Sequence, residues 1–217
     1  MNWFLRAKHW QIFILIFVAP VVIELIGFML ALTTRHPEVL FVCVFIMMAI
    51  ILGVQFGWFY NVGTALANRV NPNGGMNVKR FRNFVLIPVI YIGALMLGMI
   101  VFGFFMMNSG RPSPYTGLLL IIVIPMHFFS MFCIFYSIWF ISKSLKMAER
   151  WTHVELSDYI GDFFLTWFLF VGIWFIQPRI NRMFDPTLPP QMIAPSTFQN
   201  PQYYSQNYPP QNPSQGS

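Results

Sequence analysis

The chain has 217 residues, of which 57% are hydrophobic and 9% charged, with 25 Phe, 14 Met and a formal net charge of +6. An ordinary soluble domain carries about 25% charged residues, and a chain of this size has no interior able to hide so much apolar surface, so the composition excludes a water-soluble globule and makes a bilayer the solvent. The excess positive charge then reads as membrane orientation and contact with anionic lipid, not as nucleic-acid binding.

The first apolar run, residues 11–32, follows Arg6 and Lys8. The apolar part of a secretory leader is about 7–15 residues and ends at small residues. This run is longer and meets no A-x-A site, so it predicts a retained transmembrane helix. Glu24 lies deep inside it. A carboxylate near mid-bilayer costs about 2.5–3.5 kcal/mol on insertion scales, so it calls for a partner or a proton.

The second run, 39–60, begins after the turn "TTRHPE" and carries Ala49, Gly53, Gly57 and Asn61 at four-residue spacing. Such a small-residue ridge predicts close approach of another helix. Cys43 lies in this run and Cys133 in the fourth, neither with a metal-ligand neighbour at CxxC or CxxH spacing, so both read as small buried hydrophobes. A longer connection, 61–83, holds the turn signal "NPNGG" and the cations Lys79, Arg80 and Arg82, the expected contact with anionic lipid.

The third run is 84–107, with Ala94 and Gly98 as a weaker ridge, and the fourth is 117–141, after "NSGRPSPYT". His127 in the fourth run is the candidate partner of Glu24: counted from the outer helix ends their depths differ by about 3 Å at 1.5 Å per residue. The pair reads either as an interhelical hydrogen bond that fixes packing or as a proton or cation relay. Pro20, Pro88 and Pro125 each remove a backbone hydrogen bond and predict kinks.

The polar connection 142–158 contains "THVE" at capping-box spacing, and Ser157 is a second candidate cap. Glu155, Asp158 and Asp162 recur at i, i+3 and i+7, which puts them on one helical face, as capping acids or as a cation site.

A short fifth helix is expected over 159–177, stopped by Pro178. Its uncharged centre, 163–176, makes about 21 Å of helix against a hydrocarbon core of about 30 Å. With the N-terminus in the cytoplasm, five crossings place nine of the 13 basic residues inside, and four crossings with a returning fifth segment place eleven there. Both satisfy the positive-inside rule, and the returning form satisfies it better. From Pro186 onward the chain has no charged side chain, eight Pro, nine Asn or Gln and three Tyr, which predicts a disordered tail over 185–217.

"RAKHWQIF" near the N-terminus and "KSLKMAE" followed by "DYIGDFFLTWFLFVGIWFIQPRIN" resemble a family of small multi-pass bacterial membrane proteins with no assigned function. The resemblance implies a bacterial inner membrane and supplies no activity or catalytic residue.

The sequence thus predicts an all-α membrane bundle over 1–184, of four transmembrane helices and a short fifth one, re-entrant or spanning. No HExxH, GxSxG, P-loop, GxGxxG or SxxK motif occurs, so no catalytic residue, metal ligand or cofactor is expected. The leading function is a non-catalytic membrane scaffold or interaction subunit, with a protein partner or a second copy of itself. The alternative is a small transporter or channel subunit using Glu24 and His127.

Overall fold

A computed structural model describes residues 3–36, 38–70, 76–109, 116–150 and 154–188, with backbone alone for 104–109 and 116–120. The described residues are helical throughout their regular structure. Two short helices, α1 (Trp3–Arg6) and α2 (His9–Phe13), lead through a π turn, Ile14–Val18, into α3 (Ala19–Thr34). Then follow α4 (Glu38–Arg69), α5 (Val78–Ser109) and α6 (Thr116–Arg150), and finally α7 (Leu156–Trp167) and α8 (Leu169–Met183).

Four segments, His9–Thr34, Glu38–Arg69, Val78–Gly103 and Ile121–Arg150, are long and apolar enough to cross a membrane. Each runs past the apolar stretch that marks it in the sequence. Most of 61–83 is helical, and only the "NPNGG" stretch falls outside the described residues. The reason is that hydropathy marks what hydrocarbon can hold, while the helix continues wherever its backbone bonds and one apolar face persist. Along the end of α4, Val62, Gly63, Leu66 and Ala67 are buried at helical spacing.

The prolines are absorbed in different ways. Ahead of Pro20, which has no N–H to give, the Ala19 N–H donates to the Ile14 carbonyl, five residues back, and makes the π turn. Helices α5 and α6 continue through Pro88 and Pro125. Pro178 does not stop the fifth segment: α8 runs on to Met183.

The single fifth helix expected over 159–177 is instead two helices. They meet at Phe168, whose φ of −87° and ψ of 59° lie near an inverse γ-turn. Gly172 makes the reversal sterically available: a Cβ there would overlap the Leu165 carbonyl and come within 3.0 Å of the Leu165 Cα. The hairpin packs antiparallel on both sides. Along α6, Arg150 meets Asp158, Lys146 meets Asp162, Ser142 meets Thr166 and Phe135 meets Trp167. Along the N-terminal segment from the link before α2 to the π turn, Asn181 bonds Ala7, Trp174 lies 4.6 Å from His9, and Phe170 packs on Phe13 and Phe17.

The buried core gathers at one end, here termed the closed end. It comprises Leu5 and Ile12, Trp58 to Leu66 of α4, Phe81 and Val85, Ile138 to Leu145 of α6, and Leu169, Ile173, Ile176 and Ile180 of α8. Phe81 stacks on Phe140 at 4.2 Å, and Gly63 has no room for a Cβ beside the Phe81 ring. Toward the other end, apolar side chains such as Leu25, Met29, Phe41, Leu97, Met99, Ile121 and Phe128 are exposed on the helix surfaces.

Candidate functional site

Among the described residues, the closed end gathers a connected set of charged side chains. Lys146, Glu149 and Arg150 fall at i, i+3 and i+4 on the last turns of α6 and therefore share a face. Facing them are Asp158 and Asp162, one turn apart on α7, and Arg179 of α8. The Arg179 guanidinium is gripped from two sides. Its Nε and Nη2 donate to the two Glu149 oxygens at 2.5 and 2.7 Å, and its Nη1 and Nη2 donate to the two Asp162 oxygens at 2.5 and 3.0 Å. Lys146 Nζ completes the set, 3.3 Å from Asp162 and 3.4 Å from Glu149. Two cations thus balance two anions, in the planar fork geometry that arginine offers carboxylates. Asp162 itself is only 6% exposed.

The environment fixes the charge state. Burial works against the ionised Asp162, but the hydrogen bonds and charge of Arg179, with Lys146 behind them, outweigh it and hold the carboxyl below its ordinary value. Burial likewise works against the Arg179 charge, and the two carboxylates more than offset it, raising its pKa. These groups therefore stay ionised near neutral pH. A general acid or base needs a pKa close to the operating pH, and the Asp162–Arg179 pair is shifted away from it on both sides, which suits a clasp better than proton transfer.

A second polar group ties α8 to the rest of the closed end. The Trp58 Nε1 donates to Gln177 Oε1 at 2.8 Å, and Gln177 Nε2 faces the Phe4 and Ala7 carbonyls and Asn181 Oδ1, each at 2.9 Å. Arg69, at the end of α4, donates from Nη1 to the Met183 carbonyl, the last of α8, and lies 5.3 Å from the Phe184 ring centre. The exit of α8 is thereby held beside the exit of α4.

Several expectations from the sequence meet a different geometry. Glu155, Asp158 and Asp162 do not converge: Glu155 is exposed, Asp158 pairs with Arg150 at 2.5 Å, and Asp162 turns to Arg179. Among the described residues no group of three His, Cys, Asp or Glu is placed to hold a metal. The cap of α7 is Glu155, whose N–H donates to Asp158 at 3.0 Å. Ser157 lies inside the helix, and Thr152 is outside the described residues. That N–H bond, with the Arg150 charge, keeps Asp158 below its ordinary pKa.

Glu24 and His127 are not brought together. Glu24 Oε1 is buried on α3 without a hydrogen-bond partner among the described residues, whereas His127 is exposed on α6 with its ring 6.1 Å from that of Tyr91. The ridge on α4 divides. Ala49 and Gly53 are exposed, with open space around Gly53, while a Cβ on Gly57 would lie 3.0 Å from the Phe4 ring. Asn61 Nδ2 donates to the Gly57 carbonyl at 2.7 Å. The weaker ridge, Ala94 and Gly98, is exposed. The close approach of α3 to α4 comes at Gly27, where a Cβ would sit 2.6 Å from Cys43 Sγ.

Sequence reasoning passed over Arg179, Glu149, Lys146, Gln177 and Arg69. One signal was present: Asp162 and Arg179 flank a run too short to span, and opposite charges at the two ends of such a run pair readily if the chain doubles back.

No protein-family model matches the chain, and no curated protein or solved structure is similar to it.

Proposed function

We propose that the chain is a cell-membrane protein with four crossings and a cytoplasmic N-terminus, in which α7 and α8 dip into the inner leaflet and return. It serves as a non-catalytic interaction subunit that presents its Pro/Gln/Tyr-rich segment on the side of its N-terminus. The observation that carries this reading is the Arg69 bond to the Met183 carbonyl, which sets the exit of α8 beside the exit of α4. The positive-inside rule then has eleven of 13 basic residues on one side.

The depth of the hairpin supports the same reading. Its tip at Trp167 packs 4.8 Å from Phe135. Phe135 lies two helical turns before Lys143, about 12 Å along α6 and short of the roughly 15 Å to mid-bilayer. Phe164, Trp167, Phe168, Phe170, Trp174 and Phe175 are exposed on the hairpin, and a leaflet would cover them. The permanently ionised clasp favours a structural role over acid–base chemistry. The cation path through Glu24 and His127 has less support, because the two side chains do not meet.

The test compares the full chain with one ending after Leu188, each captured from native membranes in mild detergent and each reconstituted in vesicles. The two chains should elute and melt alike and show background ion flux, and a co-purifying protein should be retained by the full chain and lost with the truncation. Proton or sodium flux that Glu24→Gln abolishes would overturn it in favour of transport.

A further inference from the structure

We infer that the seam between α5 and α6 at the closed end is a binding site for the phosphate of an anionic phospholipid, with Arg80 and Lys143 as its charges. Three of the carboxylates there are engaged, Glu149 and Asp162 with Arg179 and Lys146, and Asp158 with Arg150, while Glu155 is exposed at the start of α7 and Asp185 turns to Thr187. Among the described residues Lys79, Arg80, Arg82 and Lys143 have no carboxylate within ion-pair distance. The three cations expected from the sequence to meet lipid then part company. Arg82 turns to α4, where its Nε donates to the Tyr60 hydroxyl at 2.6 Å and its guanidinium lies 5.2 Å from the ring centre. Lys79, three residues before Arg82, shares that side of the helix.

Arg80 belongs to the α6 side. Phe84 lies 4.5 Å from the Tyr136 ring, and Arg80, four residues before it, shares that side of the helix. Two ring contacts set the antiparallel register, Phe84 with Tyr136 and Phe81 with Phe140. Continued by one turn, this register places Arg80 level with Phe140 and Lys143 level with the start of α5, about one helical turn apart along the axis. Tyr136, Trp139 and Lys143 form one stripe of α6 at i, i+3 and i+7. Tyr136 and Trp139 lie 5.5 Å apart, and Lys143 Nζ sits 5.2 Å over the Trp139 ring. Trp139 is held in place by donating to the Tyr159 hydroxyl at 3.0 Å.

Two cations without a carboxylate partner among the described residues, one of them over the Trp139 ring, thus fall beside one aromatic stripe at the level where a helix leaves hydrocarbon. That is the chemistry of a lipid headgroup site, with the phosphodiester between the charges and the glycerol and acyl chains against the rings. A headgroup without an amine is favoured, because an added ammonium would oppose Arg80 and Lys143. The inference rests on the membrane reading above but not on the side or role of the C-terminal segment, so its failure leaves those intact.

The test uses the full chain, delipidated in mild detergent and melted against phosphatidylglycerol, phosphatidylcholine or inorganic phosphate. A ligand that binds only the native state raises the melting temperature. Phosphatidylglycerol should raise it, and the other two should not. Arg80→Gln with Lys143→Gln should weaken the apparent affinity on the order of tenfold or more, whereas Lys8→Gln with Arg182→Gln, an equal loss of charge at the same end, should leave it unchanged. Arg80→Lys with Lys143→Arg, which keeps both charges, should retain the shift even if the neutral pair folds poorly. An equal loss in both neutral pairs, loss of the shift in the charge-keeping pair, or an equal response to inorganic phosphate would overturn the assignment.

Discussion

Gly172→Ala should unfold the hairpin end of the molecule, while Gly161→Ala in the same hairpin should be neutral or stabilising. The two glycines receive the same added methyl and differ only in what it meets. At Gly172 the Cβ overlaps the carbonyl of Leu165, whereas a Cβ on Gly161 would meet no described atom within 4 Å beyond its own stretch of helix. A flexible side chain would yield, but a backbone carbonyl yields only if α7 and α8 swing apart. Overpacking of this kind costs about 1–3 kcal/mol even where side chains can adjust, and a backbone obstacle puts the expected loss at the top of that range or beyond it. The exposed helical site gains up to about 1 kcal/mol from alanine's better propensity. Melting in detergent measures both. Equal melting temperatures for the two variants would mean that the chain does not reverse at Phe168.

Arg179→Met should be the most damaging change of a single charge. It leaves Glu149 and Asp162 facing Lys146 alone, two partly buried anions against one cation. Breaking a buried pair by removing one partner costs about 3–5 kcal/mol, and the partial exposure of Glu149 and Arg179 points to the lower part of that range. Adding Asp162→Asn should restore part of the loss, since the uncompensated anion goes with it.

The pH dependence gives a second readout. Asp162 is held below its ordinary value in the folded protein. Its contribution to stability is therefore present above the unfolded carboxyl range, near pH 4, and is lost as pH falls through the lowered folded value. In Arg179→Met burial acts on Asp162 with less opposition, so the folded state takes up a proton more readily. The gap in melting temperature between native chain and variant should narrow from pH 7 to pH 4. A gap that is constant across this window would show that Arg179 stabilises by packing alone.

The class and the four long helices were legible because transfer out of water depends on composition, and composition is local. Helix ends were less so: Val62, Leu66 and Ala67 are recognisable as one helical face only once something is known to pack on it. The bend at Phe168 has no local signal, as neither Gly nor Pro occupies that position. It is set by Gly172 against Leu165, seven residues before it, and by contacts of α8 with α2, α4 and α6, which are distant in sequence. Pro178 gave the wrong boundary for a related reason. Flanking side chains, Gln177, Arg179 and Asn181, are each bonded to another element and carry the helix past it.

Depth along a helix was readable for Glu24 and His127, but direction around the helix axis was not, and direction decides which residues meet. The clasp itself was half visible in the charges that flank the fifth apolar run. Glu149 could be added only after the hairpin was known to lie along α6.

Whether the chain turns back before it crosses a fifth time is read most directly from the sidedness of single cysteines. In a background with Cys43→Ala and Cys133→Ala, a reporter replaces Ser205, Asn73 between α4 and α5, or Ser113 between α5 and α6, and each is exposed to a membrane-impermeant maleimide before and after the membrane is opened. With a returning hairpin Ser205→Cys follows Asn73→Cys, both protected in intact cells and labelled once the membrane is opened, while Ser113→Cys labels from the start. Labelling of Ser205→Cys together with Ser113→Cys in intact cells, with Asn73→Cys still protected, would mean that α7 and α8 cross the membrane and would contradict the returning hairpin.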